Sequence, residues 1–295
     1  MDLLASKDID SISFDILKAS KSFDTYPTPI DKIVNYSELI INNQISLKSI
    51  HRGYLSKVPD VLLKAVSKLR GVFDRSIKTI YLDQNLLDSK KKFVTLHEVG
   101  HGVIPWQTKS FEVIEDDDDS LSHHVIEEFE REANYFASAT LFQHDRFNHQ
   151  IAKLNLGIDS AMHLSQLFGA SIHATLRRFV EHSSKRCALI VLEGKTMAGL
   201  NPKCLKRYAS FSEKFKKTFG LLELPNEFGI SWDFAKHYFT QRKGIVDGEM
   251  TISTKNGLTD FKYHFFNNTY NSFIFFFPSG ESQNSRTKII LRESI

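Results

Sequence analysis

Two histidines four residues apart, His97 and His101, lie in a stretch whose apolar residues Phe93, Val94, Leu96, Val99 and Val103 fit a helix. Positions i and i+4 share one helical face, so both imidazoles can reach a single ion. Glu98 lies between them in His97-Glu98-Val99-Gly100-His101 and projects beside that ion, where a carboxylate can take a proton from a water. The alternating run Lys78–Asp83 ahead of the helix reads as a strand, with an edge where an extended peptide can pair. Gly100 and Gly102 leave room for another element to approach the helix.

A metal held this way needs a third ligand. A second helical pattern over 123–142 places Val125, Ile126, Phe129, Ala133, Phe136, Ala137, Thr140 and Leu141 along one side. Glu130 shares the Ala133/Ala137 stripe, whose small residues permit close packing. A carboxylate directed into such a contact is costly unless it meets a metal or a cation. Glu130 is therefore the expected third ligand, with Glu132, displaced from the stripe, as the backup. His123 and His124 open this helix; either is a candidate oxyanion donor, against the plainer reading of a solvated histidine. The plain reading of the whole motif is a surface helix with both histidines in water.

Composition narrows the setting. With 41% hydrophobic and 25% charged residues in 295, the chain has enough apolar surface to fold rather than stay disordered. No run approaches the roughly 20 apolar residues of a membrane span, so no membrane partner is expected. The N-terminal MDLLASKDID carries acidic residues where a secretory leader needs basic ones, and two cysteines, Cys187 and Cys204, make no disulfide framework. A cytoplasmic protein is expected. Charge is segregated: Glu115 to Glu132 holds nine acidic residues and one basic, whereas Arg177 to Lys243 holds fourteen basic and six acidic. Asp116 to Asp119 reads as a loop rather than a calcium site, because four adjacent carboxylates repel and cannot all face one ion.

Residues 1–26 form a weakly patterned lead-in. Pro27-Thr-Pro-Ile-Asp31 stops that segment ahead of an amphipathic helix carrying Ile33, Val34, Leu39, Ile40 and Ile41, and a further helical pattern covers Val61–Leu69. Residues 160–182 read as two short helices around Gly169. Beyond Lys185 the texture turns to strands: Cys187–Leu192, a hairpin marked by Asn256-Gly257, Tyr270–Phe277 and Lys288–Leu291. Alternation puts Phe261, Tyr263 and Phe265 on one face, with Phe273, Phe275 and Phe277 opposing them from a facing strand as a sheet interior. The expected fold class is α+β, with domains at 27–150, 151–184 and 185–295.

The combination of LHEVGH, EREANYFASATL and SQLFGASIHATLRRF, in that order and preceded by PTPID, resembles the ImmA/IrrE family of zinc metallopeptidases over roughly 27–182. The resemblance implies a zincin-like metallopeptidase domain followed by a helix-turn-helix-like segment. It implies metal ligands at His97, His101 and Glu130, and Glu98 as the catalytic carboxylate. Zn²⁺ is the implied cofactor, with Mn²⁺ or Fe²⁺ accepted by the same donors. Family members commonly cut a helix-turn-helix repressor, or act in toxin–antitoxin or phage-defence modules, so a repressor or antitoxin is the implied protein substrate. Some carry a sensory, GAF-like C-terminal domain. The chain departs from the pattern at Thr140-Leu-Phe-Gln-His144, where no proline stands and the helix is expected to run on. Two other readings compete: a DNA-binding regulator using residues 160–182 with Arg177, Arg178, Lys185 and Arg186, and a pseudo-protease whose metal site is structural.

Overall fold

A computed structural model describes residues 5–42, 71–110, 123–197, 202–240 and 244–281. The helix expected over Val61–Leu69, the Asp116 to Asp119 run and the strand at Lys288–Leu291 lie outside the described residues. The chain is α+β. It divides into two compact units, Met1–Phe147 with Ser165–Ser171, and Asn148–Leu164 with Ile172–Ile295.

In the first unit, α1 (Ser6–Ala19) and α2 (Ile30–Tyr36) lead into a small sheet of β1 (Ile40–Asn42), β2 (Gly71–Asp74) and β3 (Thr79–Leu82). Helices α3 (Asp88–Val103) and α4 (His123–Leu141) follow, and further along the chain come α5 (Asp145–Ala152) and α6 (Ile158–Phe168). The helix entered through Pro29 is shorter than the apolar pattern suggested. Glu38 adopts a left-handed φ of 56°, and Ile40 and Ile41 extend into β1, where β-branched side chains are better accommodated.

The sheet order is β1-β3-β2, with β1 parallel and β2 antiparallel to β3. Here the sequence reading needs correction. The strand at Ile80 is central, its backbone groups occupied on both sides, and it offers no edge to a peptide.

Helix α4 ends at Leu141 and does not run on. Gln143 and His144 take left-handed φ values of 51° and 52°. No proline is needed, because the N-terminal segment caps this end. Thr28 Oγ1 donates to the Leu141 carbonyl at 2.8 Å. The buried Gln143 side chain donates to the Thr25 carbonyl at 2.8 Å and accepts from the Asp24 amide at 2.6 Å. The Pro27–Asp31 element is thus a clasp on α4 as well as a helix start.

The second unit is built on a six-stranded antiparallel sheet. Its strands are β4 (Ala188–Met197), β5 (Lys203–Phe211), β6 (Glu227–Phe228), β7 (Val246–Thr254), β8 (Gly257–Asn267) and β9 (Asn271–Pro278), in the order β6-β5-β4-β9-β8-β7. The β7–β8 hairpin closes at Thr254↔Gly257, so Lys255 and Asn256 form the loop and Gly257, at φ 92°, follows it. The turn lies one residue ahead of a loop centred on Asn-Gly, with the glycine as the left-handed residue after a tight turn.

Phe261, Tyr263 and Phe265 face the core shared by Ile190, Ile274 and Phe276 with α8 (Glu213–Phe219) and α9 (Asp233–Phe239). Phe273, Phe275 and Phe277 do not oppose them. The register pairs Tyr263 with Phe276 and Phe265 with Ile274, so the odd-numbered phenylalanines of β9 project to the other face. There Phe275 meets Phe179 of α7 (Ile172–His182) edge-on at 5.6 Å. Strand β9 is consequently buried on both faces over 272–277.

Candidate metal centre

Every residue of α3 from Val94 to Gly100 is buried, because β2 and β3 pack on one side of the helix and α4 on the other. Two glycines make this possible. A Cβ on Gly100 would stand 3.3 Å from the Ala133 Cα and 3.1 Å from the Phe136 ring, so α3 and α4 touch nearly backbone to backbone. A Cβ on Gly71 would stand 2.4 Å from Val94 and 2.8 Å from Glu98 Oε1, so β2 lies directly on the motif.

This packing brings three donor groups together. His97 Nε2 and His101 Nε2 are 3.1 Å apart, and the two Glu130 oxygens lie 3.3 Å from His97 Nε2 and from His101 Nε2. Among the described residues these three form a cluster whose ligand atoms all lie within 4.8 Å of one another. Tetrahedral zinc with bonds of about 2.0–2.1 Å has ligand–ligand separations of about 3.3 Å. The spacing and the N/N/O donor set therefore fit zinc, and they also suit other divalent ions.

Glu98 is buried next to the cluster, and burial pushes its carboxyl above the usual carboxylate range while the nearby His97 and His101 hold it back. Burial pulls His101 down, but its hydrogen bond to Glu130 and the charges of Glu98 and Glu130 reverse this and leave it raised. Burial opposes ionisation of Glu130 too, yet hydrogen bonds from His101 and His97 hold it well below the usual range. The group arrives as an anion facing two imidazoles, as a cation site requires.

The other sequence candidates lie elsewhere. Glu132 Oε2 accepts from Trp106 Nε1 at 2.8 Å and Gln107 Nε2 at 2.7 Å. His124 is exposed, and the His123 side chain lies outside the described residues. Gln107 drew no notice from sequence, though it contacts His101 Nδ1 at 2.8 Å. A signal was present. Pro105 pushes Ile104 into an extended conformation, which ends α3, and residues 105–110 resume as helix and carry Gln107 back over His101.

Residues 60–180 match the family model for peptidase M78, the IrrE N-terminal-like domain. Over those residues the chain is similar to the IrrE N-terminal-like domain. The metallopeptidase family supplies the divalent-metal chemistry for which the cluster is suited. A solved structure described as a Mycobacterium tuberculosis transcriptional regulator is similar over 92% of this chain and 76% of that one, with a TM-score of 0.53 and 12% identity. At that identity the likeness is one of fold. No curated protein matches.

A second constellation has hydrolase-like connectivity: Ser13 Oγ lies 3.0 Å from His144 Nε2, and His144 Nδ1 lies 3.4 Å from Asp10. Ser13 is fully buried and also bonded to Thr140 Oγ1 at 2.8 Å. No substrate reaches it. These groups tie α1 to the end of α4.

Proposed function

We propose that the chain is a zinc-dependent endopeptidase that cleaves a specific partner, a helix-turn-helix repressor or an antitoxin, in a stress-response, mobile-element or defence setting in the cytoplasm. Residues 27–150 would form the peptidase domain, 151–184 a helical segment and 185–295 a C-terminal domain. The observation that carries the reading is the convergence of His97, His101 and Glu130 with a buried Glu98 alongside.

His97 Nε2, His101 Nε2 and Glu130 would hold the ion. A divalent cation there supplies Lewis acidity to a peptide carbonyl and to a water. Glu98, a carboxylate whose basicity burial raises, takes the proton from the attacking water and holds it on a carboxylate oxygen. It then delivers that proton to the leaving amine nitrogen. The closely packed α3, α4 and β2 exclude bulk water from Glu98. No described residue is assigned as oxyanion donor.

The test is cleavage of a co-produced repressor or antitoxin by the zinc-loaded protein. Glu98→Gln should keep its metal and lose about 10²- to 10⁴-fold in rate, the range for a general base. A Glu98→Gln protein that cuts as well as wild type would end the reading.

A DNA-binding regulator is the second reading, favoured by the fold likeness to a transcriptional regulator. Against it, Thr175, Leu176, Phe179 and Val180 of α7 are buried, which leaves few of its side chains to read bases. Affinity for duplex DNA that falls steeply with salt would support it, and absence of binding at low salt would remove it.

A further inference from the structure

Gln107 is fully buried, and each end of its amide is committed. Its Nε2 faces Glu132 Oε2 at 2.7 Å and the Phe129 carbonyl oxygen at 3.2 Å. The carbonyl can only accept, and the same Glu132 oxygen also accepts from Trp106 Nε1 at 2.8 Å. The amide end toward them must therefore be the NH₂ group. That leaves Oε1 pointing at His101 Nδ1, 2.8 Å away. An oxygen at this place requires a proton on Nδ1, so the lone pair of the neutral ring sits on Nε2, the nitrogen 3.3 Å from Glu130. His97 has no such brace: its Nδ1 is buried without a hydrogen-bond partner among the described residues.

We infer that Gln107, oriented by Glu132, Trp106 and the Phe129 carbonyl, is a positioning residue that fixes His101 as the Nδ1-protonated tautomer and presents its Nε2 to a metal. The inference rests on the metallopeptidase reading above for the presence of the ion. It gives Glu132 a definite place: one oxygen that accepts twice, behind the site. The brace is an uncharged amide rather than a carboxylate directly on the histidine, so orientation and tautomer are set without a second negative charge against the ring.

The experiment uses zinc alone as probe, competed against a chromophoric chelator, on the full chain. The variants are Gln107→Met, Glu132→Leu and Glu132→Gln, with circular dichroism and thermal unfolding of the metal-free proteins as folding controls. Gln107→Met and Glu132→Leu should weaken zinc binding by about tenfold to a hundredfold, the range for loss of an outer-shell partner. Glu132→Gln places an amide oxygen where Oε2 stood, keeps both bonds, and should bind close to wild type. In nitrogen-15 spectra of zinc-loaded wild type, the His101 Nδ1 proton should exchange slowly, and in Gln107→Met quickly.

Unchanged zinc affinity in Gln107→Met would overturn the inference while leaving the metal reading intact. So would a Glu132→Gln protein as weak as Glu132→Leu, a comparison that decides the matter if Gln107→Met does not fold. Wild-type protein that takes up no zinc would overturn both.

Discussion

Glu98 and Gly71 show how closely the proposed chemistry depends on a single missing atom. Gly71 has no need of unusual backbone angles; it is required because any side chain there would overlap Val94 at 2.4 Å and Glu98 Oε1 at 2.8 Å. Gly71→Ala should therefore lose about 1–3 kcal/mol of stability, the usual cost of overpacking, and displace the Glu98 carboxylate. Denaturant unfolding reads the first effect. A rate assay beside a zinc titration reads the second, with hydrolysis falling while zinc is retained, since none of the three clustered donors touches Gly71. Equal stability and rate in the alanine variant would show that β2 does not rest on Glu98. Nothing in the sequence marked Gly71, because close approach from a different element leaves no local pattern. Gly100 was legible only because it sits inside the motif itself.

Among elements, α3 and α4 were readable and their surroundings much less so. Helical periodicity over Phe93–Val103 and Val125–Leu141, with an alanine stripe opposite a glycine, foretold a tight helix pair. The place of β3 could not be read this way. Alternation in Lys78–Leu82 marks a strand but not its neighbours, and the parallel partner β1 hid in a stretch that also fits a helix. Pairing of β8 with β9 was equally ambiguous by one residue, which is enough to exchange the two faces of β9.

Helix α7 carries a prediction of its own. His173 bonds to the Tyr208 hydroxyl at 2.7 Å, and burial, aided by Arg207 and Arg177, holds its imidazole below the ordinary 6.5. His182, in the last turn, is pushed down to about 4 by desolvation and by Arg178. A depressed folded-state value means that the unfolded chain takes up these protons first as pH falls. Stability should therefore be full above about pH 6.5 and decline below it. His173→Gln should make the fall in the thermal midpoint between about pH 8 and about pH 5 shallower. A slope identical to wild type would show that His173 is not among the groups responsible.

At the level of the whole chain, a metal that binds only the folded first unit should stabilise that unit by mass action. Free zinc at a hundredfold excess over its dissociation constant adds about 2.7 kcal/mol. Hydrogen exchange should accordingly slow on α3, α4 and residues 105–110 when zinc is added, and stay unchanged across β4–β9 of the second unit. Protection gained equally in both units would mean that the ion acts outside the His97, His101 and Glu130 cluster. Of the described helices none is long and apolar enough to cross a membrane.

The proposed chemistry stands on one centre, and zinc per chain probes it without any substrate: purified protein is supplied with zinc, dialysed and analysed, wild type beside His97→Ala and Glu130→Ala. About one zinc per wild-type chain is expected, with a sharp loss in both variants, as three-ligand sites require. Wild type without zinc, or variants that hold it as well as wild type, would contradict it.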